Sequence, residues 1–249
     1  MLFSLITSLP MQNRKHSVRE IARRISRSIY HFGIDLHEDI RRCLPNEHLK
    51  TIFDVGANEG QSARKFLEHY PSATIRCFEP NPDCCEILQA VDSRLIIVKL
   101  AVGDKIGVKG FDRSQGGSDM FRLTGDMSGE IVTVDTLDHF CETNAVKQID
   151  LLKIDTEGHD LEVLRGGAGL LKDNRINILQ AEVSMNVDNK YHTPFSEAHA
   201  HMEHFGYRLF AIHEQVNEWP AHEPHMRRAN VCYISAAVIA RNKGANLRQ

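Results

Sequence analysis

Thr51-Ile52-Phe53-Asp54-Val55-Gly56-Ala57-Asn58-Glu59-Gly60 is the stretch whose reading decides the fold. Ile52 and Phe53 close a short apolar run, Asp54 follows, and Gly56, Asn58 and Gly60 then alternate with other residues. Beyond Gly60, Ala63, Phe66, Leu67 and Tyr70 recur at helical spacing. The pattern predicts a buried strand, a tight turn and a helix. Glycines in such a turn let the backbone bend sharply and approach a ligand closely. The start of the helix also presents unpaired N–H groups to whatever lies over the turn.

A dinucleotide site would ask for Gly-x-Gly-x-x-Gly with a pyrophosphate at the helix N-terminus. This chain has Gly56-x-Asn58-x-Gly60, with Asp54 before the turn and Glu59 within it. Acidic side chains repel a pyrophosphate and suit a cationic ligand with amine and sulfonium groups, such as S-adenosylmethionine. The plain alternative is a strand, turn and helix with no ligand. A second motif follows: Ala73–Phe78 reads as a strand running into Glu79-Pro80-Asn81-Pro82. An acidic residue at the end of the next strand, roughly 20 residues beyond a glycine turn, can accept both ribose hydroxyls of an adenosine.

With 249 residues and 42% hydrophobic content the chain can bury one large α/β core. A net charge of −3 gives no general attraction to nucleic acid, and no nucleic-acid partner is expected. The six cysteines lack metal-type pairing and read as the reduced thiols of a cytoplasmic protein. Met1–Leu9 is apolar but well short of the roughly 18 residues a membrane span needs. Gln12–Leu44 reads as a helix with Val18, Ile21, Ala22, Ile25 and Ile29 on one face and many arginines elsewhere. Its apolar face can pack on the domain; contact of the basic face with a membrane surface is the alternative. Residues 1–50 are therefore taken as a helical extension and 51–249 as the main domain.

The rest of the chain alternates. Thr51–Phe53, Ala73–Phe78, Leu95–Leu100, Ile149–Ile154 and Ile176–Val183 read as strands, with helices through Tyr70, over Asp83–Val91 and after Asp160. Such alternation predicts a parallel sheet covered by helices on both faces, with ligands outside the carboxyl ends of the strands. Asp54, Glu79 and Asp104 are expected to converge there. Val108–Phe111 and Glu130–Val134 read as a β-hairpin-like insertion over the crevice, with Gln115–Met120 at its tip. Pro194–Phe205 reads as a helix, and Gly206–Ile212 and Val231–Val238 as the last strands. The polar linker between them, His213–Asn230 with Trp219, is long enough to be a lid.

DVGANEG (Asp54–Gly60), FEPNP (Phe78–Pro82), LAVGD (Leu100–Asp104), TLD (Thr136–Asp138) and LLKIDTEGHDLEVLRG (Leu151–Gly166) together resemble the FkbM-type S-adenosylmethionine-dependent methyltransferases, over about Thr51–Val183. The resemblance implies a class I methyltransferase, Rossmann-like seven-stranded sheet whose last strand runs antiparallel. It also implies O-methylation of a small molecule, often a sugar. On this resemblance Asp54, Gly56, Asn58 and Gly60 surround the methionine end of the cofactor, Glu79 the ribose and Asp104 the adenine region. Glu59 stands where the family usually has an apolar residue, and Asp160 where it more often has Glu.

The chemistry is expected at Asp155-Thr156-Glu157-Gly158-His159-Asp160. Asp155 is the first candidate for orienting and deprotonating an acceptor hydroxyl. His159, with an ordinary pKa of about 6.5, is the second, and Lys153 and Glu157 would tune them. Lys153 lies two before Asp155 and so on the same side of the strand, where it could instead form an internal ion pair. The small-molecule acceptor, a sugar or polysaccharide precursor, is not encoded in any readable motif. His199, His201, Glu203 and His204, with His192 upstream and Glu197 one turn before His201, resemble a metal set, but a solvated helix face explains them, and no metal is expected. Two rivals remain: a nicotinamide-dependent oxidoreductase, which would need the absent Gly-x-Gly-x-x-Gly, and a catalytically silent binding domain of the same fold.

Overall fold

The computed structural model describes residues 32–112, 122–123 and 129–245. The chain divides into two compact units, Met1–Ile34 and Asp35–Gln249, and all of the secondary structure that follows lies in the second. Most of the expected basic helix, residues 12–31, lies outside the described residues. The part that is described does not continue through Gly33, whose φ is 88°. Helix α1 (Leu36–Cys43) starts afresh, with the Asp35 side chain accepting a hydrogen bond from the Glu38 N–H. Acidic residues in its first turn and arginines in its last complement the helix dipole.

The elements then run β1 (Thr51–Val55), α2 (Gln61–His69), β2 (Thr74–Phe78), α3 (Pro82–Val91), β3 (Ile96–Val98), β4 (Ala101–Val102), β5 (Gly107–Asp112), β6 (Arg122–Leu123), β7 (Glu130–Asp135), α4 (Leu137–Thr143) and β8 (Ile149–Ile154). They finish with α5 (Asp160–Gly166), α6 (Ala168–Lys172), β9 (Ile176–Ser184), α7 (Phe195–His204), β10 (Arg208–Asn217), β11 (Met226–Ile234) and α8 (Ala236–Asn242). Side-chain caps start several helices. Asn81 accepts from Asp83 N–H with Pro82 in the first turn, Thr136 from His139 N–H, and Ser235 from Val238 N–H.

The main sheet has seven strands in the order β10-β11-β9-β8-β1-β2-β3. β11 runs antiparallel between β9 and β10, and the β3-β2-β1-β8-β9 run is parallel. This is the sheet the resemblance implied. Central strands are buried on both faces, so they read as unbroken apolar runs. In β1, Ile52 packs on one side and Phe53 on the other; in β8, Leu151 and Leu152 divide in the same way. The chain leaves β1 towards β2 on one side, while β8 lies on the other. A crevice therefore opens over their carboxyl ends at this reversal.

The insertion forms its own four-stranded sheet, β4-β7-β5-β6, with β5 antiparallel to β7 and β6. Its expected tip, Gln115–Met120, lies outside the described residues. Three boundary differences from the sequence reading change where residues are placed. The Leu95–Leu100 strand ends at Val98, because Leu100 N–H turns back to the Val98 carbonyl at 2.9 Å, and Ala101 then pairs with Val134 in the second sheet. The linker expected as a lid is mostly strand: β10 runs to Asn217 and β11 begins at Met226, which leaves a short connection with Trp219 exposed. His213 is accordingly not a solvated linker residue. It is buried in β10, its Nε2 lying 2.8 Å from Asp39 Oδ2 of α1. Lastly, the strand read as Val231–Val238 stops at Ile234, and the Ser235 cap starts α8.

Candidate active site at the carboxyl ends of β1, β2 and β8

Glu79 follows β2 directly and is 6% exposed. Its Oε2 accepts the Asn58 N–H and its Oε1 the Asn81 N–H, both at 2.8 Å. One carboxylate thus ties the glycine turn after β1 to the turn after β2. Each oxygen keeps further lone-pair capacity for a ligand hydroxyl. Burial raises the Glu79 pKa, and the two backbone N–H bonds pull against that rise.

Gly56 N–H and Ala57 N–H both donate to the Phe78 carbonyl, which holds the turn against β2. Gly56 has φ 76°, and a Cβ placed there would lie 1.9 Å from the Asp155 carbonyl oxygen. Its missing side chain therefore lets the turn close on the end of β8. Gly60, at φ 85°, caps α2, and an added Cβ would lie 2.9 Å from the flexible end of Leu88 in α3. Gly60→Ala is expected to lose about 1–3 kcal/mol of stability, the usual cost of forcing a side chain into the left-handed region. Urea unfolding of the variant against the parent chain measures it, and an unchanged midpoint would rule it out.

Asp54 is fully buried in β1, directly opposite Lys153 of β8 in the strand register. Lys153 Nζ lies 3.2 Å from Asp54 Oδ1, 3.2 Å from Asp155 Oδ2 and 3.3 Å from the Gly56 carbonyl. One cation therefore spans two carboxylates beneath the crevice. Burial raises the Asp54 pKa, and Lys153 opposes that rise. The Lys153 pKa moves up as well, since attraction to Asp155 and Asp54 outweighs the cost of its burial. Of the sequence alternatives for Lys153, the internal ion pair matches this geometry. The Asp155 carboxylate keeps about a third of its surface exposed at the mouth.

On the β8–β9 side, His159 Nε2 reaches the Leu123 carbonyl of the insertion at 2.9 Å. Asp160 is 1% exposed, and among the described residues neither of its carboxylate oxygens has a hydrogen-bond partner within geometric limits. Burial pushes its pKa up to about 8, helped by the charges of Asp155 and Glu182. Glu182, near the end of β9, pairs with Arg228 through Oε1 and lies 2.7 Å from His192 Nε2 through Oε2. His192 Nε2 is also 3.9 Å from Glu157 Oε2. Asp104 follows β4 and is only half-buried, so it stands at the start of the second sheet and not at a strand end of the first.

The Methyltransferase FkbM domain family matches residues 54–209. The chain belongs to this family. It is 31% identical over 149 residues to the 2-O-methyltransferase NoeI of Sinorhizobium fredii, covering 50% of this chain and 60% of that protein. It is 28% identical over 162 residues to the hexuronic acid methyltransferase AglP of Haloferax volcanii, covering 61% of this chain and 64% of that protein. The chain thus spans less than two thirds of the length of either relative. A solved TehB-like SAM-dependent methyltransferase from Corynebacterium glutamicum aligns over 90% of this chain and 99% of that chain, at 9% identity and a TM-score of 0.40.

Within this FkbM domain, Asp54, Gly56, Asn58 and Glu79 meet around one junction of two turns, and Lys153 and Asp155 adjoin it. Glu157, His159 and Asp160 lie along the neighbouring turn and helix start. His192 enters the sequence reading only as a histidine upstream of the cluster now seen in α7, and its meeting with Glu182 is not foreseen there. They meet Glu157 because the loop after β9 folds back: Ser184 N–H bonds to the Thr193 carbonyl, and the Tyr191 carbonyl sits 2.5 Å from where a Gly158 Cβ would be. The histidines read as a possible metal set are dispersed. His199 stacks between Phe195 and Tyr233, and His201 has a buried, unpartnered Nε2. All six cysteines are free thiols. Among the described residues no helix is long and apolar enough to cross a membrane.

Proposed function

We propose that the chain binds S-adenosylmethionine over the β1 and β2 ends and transfers its methyl group to a hydroxyl of a sugar-like acceptor held over β8 and β9. The observation that carries this reading is the Glu79 carboxylate, buried and aimed by two backbone N–H groups at the junction of the two turns. The residues fit the cofactor. Glu79 offers lone pairs to the ribose hydroxyls, the turn from Gly56 to Gly60 offers close-approaching backbone, and Asp54 supplies the negative field that a cation prefers. Asp104 is assigned to the adenine side on the family resemblance alone.

When bound, S-adenosylmethionine supplies a methyl carbon already activated by its sulfonium. The chain supplies position and proton handling. Holding an acceptor oxygen in line is worth on the order of 7–11 kcal/mol in well-oriented pairs. Asp155, accessible at the mouth, orients the acceptor hydroxyl and takes its proton, a step worth about 10²–10⁴-fold. Lys153 fixes the Asp155 carboxylate from beneath. His159 is the second proton acceptor and also holds the insertion over the crevice. Both relatives are named for methylation, one at a 2-O position and one of a hexuronic acid. A hydroxylated sugar with a carboxylate is therefore the first acceptor to try, and a cytoplasmic setting with reduced cysteines suits a soluble precursor.

The test uses radiolabelled S-adenosylmethionine with a panel of hexoses, hexuronic acids and their oligosaccharides. Label is expected to pass to at least one acceptor, and Asp155→Asn is expected to lower single-turnover transfer by two or more decades while cofactor binding stays near normal. Transfer at the parent rate in both Asp155→Asn and His159→Ala would remove this segment from the chemistry.

A further inference from the structure

We infer that Glu157, Glu182 and His192 form a divalent-cation site beside the crevice. Glu157 comes from the turn after β8, Glu182 from the end of β9 and His192 from the loop that follows it. One ligand atom from each lies within 4.8 Å of the others. His192 Nε2 is 2.7 Å from Glu182 Oε2 and 3.9 Å from Glu157 Oε2. Ligand atoms about 2.1 Å from one ion stand about 3 Å apart at right angles and about 4.2 Å apart when opposed, so small side-chain adjustments suffice.

The groups behind these three are arranged as a metal's supporting shell is. His192 Nδ1 is 3.0 Å from Asn189 Nδ2 and 3.3 Å from Asn189 Oδ1, and Asn189 is 3% exposed, so the amide fixes the ring with Nε2 towards the two carboxylates. A ligating imidazole commonly donates its other N–H to an acceptor of this kind. Arg228 holds Oε1 of Glu182 and leaves Oε2 facing His192. Where Nδ1–H donates to Asn189 Oδ1, the Nε2 lone pair and Glu182 Oε2 face one another at 2.7 Å and a cation fits between them; where Asn189 Nδ2 donates to Nδ1, Nε2–H donates to Glu182 Oε2 and an ion displaces that proton.

Asp160, three residues beyond Glu157, is 1% exposed, and among the described residues neither of its oxygens has a hydrogen-bond partner within geometric limits. Nearby, Lys153 spans Asp54 and Asp155, and Arg228 holds Glu182. Two carboxylates with one imidazole suit Mn²⁺ or Zn²⁺, with Mg²⁺ the harder competitor. Three protein ligands leave positions open for oxygens of water or of an acceptor. Holding an acceptor there rests on the methyl-transfer reading; binding of the ion does not.

The full chain, stripped with a chelator and returned to chelator-free buffer, is titrated with MnCl₂ while free Mn²⁺ is followed by its electron spin resonance. Zn²⁺ and Mg²⁺ are titrated by calorimetry. One ion per chain is expected for at least one of the three. Glu157→Gln and His192→Gln are each expected to weaken it at least tenfold, and Asn189→Ala, which frees the ring, by roughly tenfold. Glu157 lies on a partly exposed turn, so Glu157→Gln stays informative if His192→Gln does not fold. The inference is overturned if none of the three ions binds stoichiometrically, or if Glu157→Gln and every folded ligand variant bind as the parent does. Methyl transfer failing in a chain that does bind the ion would count against the proposed function alone.

Discussion

Lys153→Met is expected to cost about 3–5 kcal/mol of folding stability, the loss typical when one member of a buried ion pair is removed and the other is left behind. Asp54 is fully buried, and among the described residues its compensation comes from the Lys153 ammonium 3.2 Å away. Methionine keeps most of the volume and removes the charge, so packing contributes little to the difference. Asp54 must then either hold an unpaired charge in the core or take up a proton. Adding Asp54→Asn to Lys153→Met removes the stranded charge and should recover part of the loss. Urea unfolding of the parent, both single variants and the double variant gives the coupling. A Lys153→Met midpoint equal to the parent's would mean that Lys153 does not hold β8 to β1.

Asp160→Asn is expected to change the pH dependence of stability. The ordinary aspartate value is near 3.8, and in the folded chain Asp160 is pushed up to about 8 by burial, then by Asp155 and Glu182. Between these values the folded chain holds a proton that the unfolded chain has lost. Stability from this group is therefore fully present below about pH 4 and is lost as pH rises towards 8, at up to about 1.4 kcal/mol per pH unit. Asparagine carries no such linkage. In chelator-treated protein the stability difference should shift in the variant's favour by up to roughly 3 kcal/mol between pH 5 and pH 8. A difference that stays constant over that range would show that Asp160 is ionised in the fold.

Local rules account for the parts of the fold that were legible in the sequence. Ile149–Ile154 was read with its observed limits because a strand buried on both faces is an unbroken apolar run. The break between α5 and α6 falls at Gly166 and Gly167, where glycine weakens a helix. What was not legible depends on contacts distant in sequence. His213 sits in a polar-looking segment, yet it is buried because Asp39 reaches it from α1. Asp104 looked like a strand-end carboxylate, but the turn at Lys99 and Leu100 sends the chain to a second sheet first. His192 lies in a loop with no periodicity, and only the fold-back between Ser184 and Thr193 brings it to Glu182. The cofactor half was readable because its residues cluster in two short motifs; the acceptor half is assembled from three separate segments.

The central claim is that Glu79 and the glycine turn form the S-adenosylmethionine site. Titration calorimetry of S-adenosylmethionine into the parent chain and into Glu79→Gln tests it most directly. The amide keeps an acceptor for one of the two turns but loses the charge-assisted bonds to the ligand hydroxyls. Its loss is expected to cost about 1.5–3 kcal/mol, a roughly ten- to hundredfold weaker dissociation constant at one site per chain. Equal affinity in the two proteins, with Glu79→Gln folded by urea unfolding, or a parent chain that binds NAD and not S-adenosylmethionine, would contradict the account.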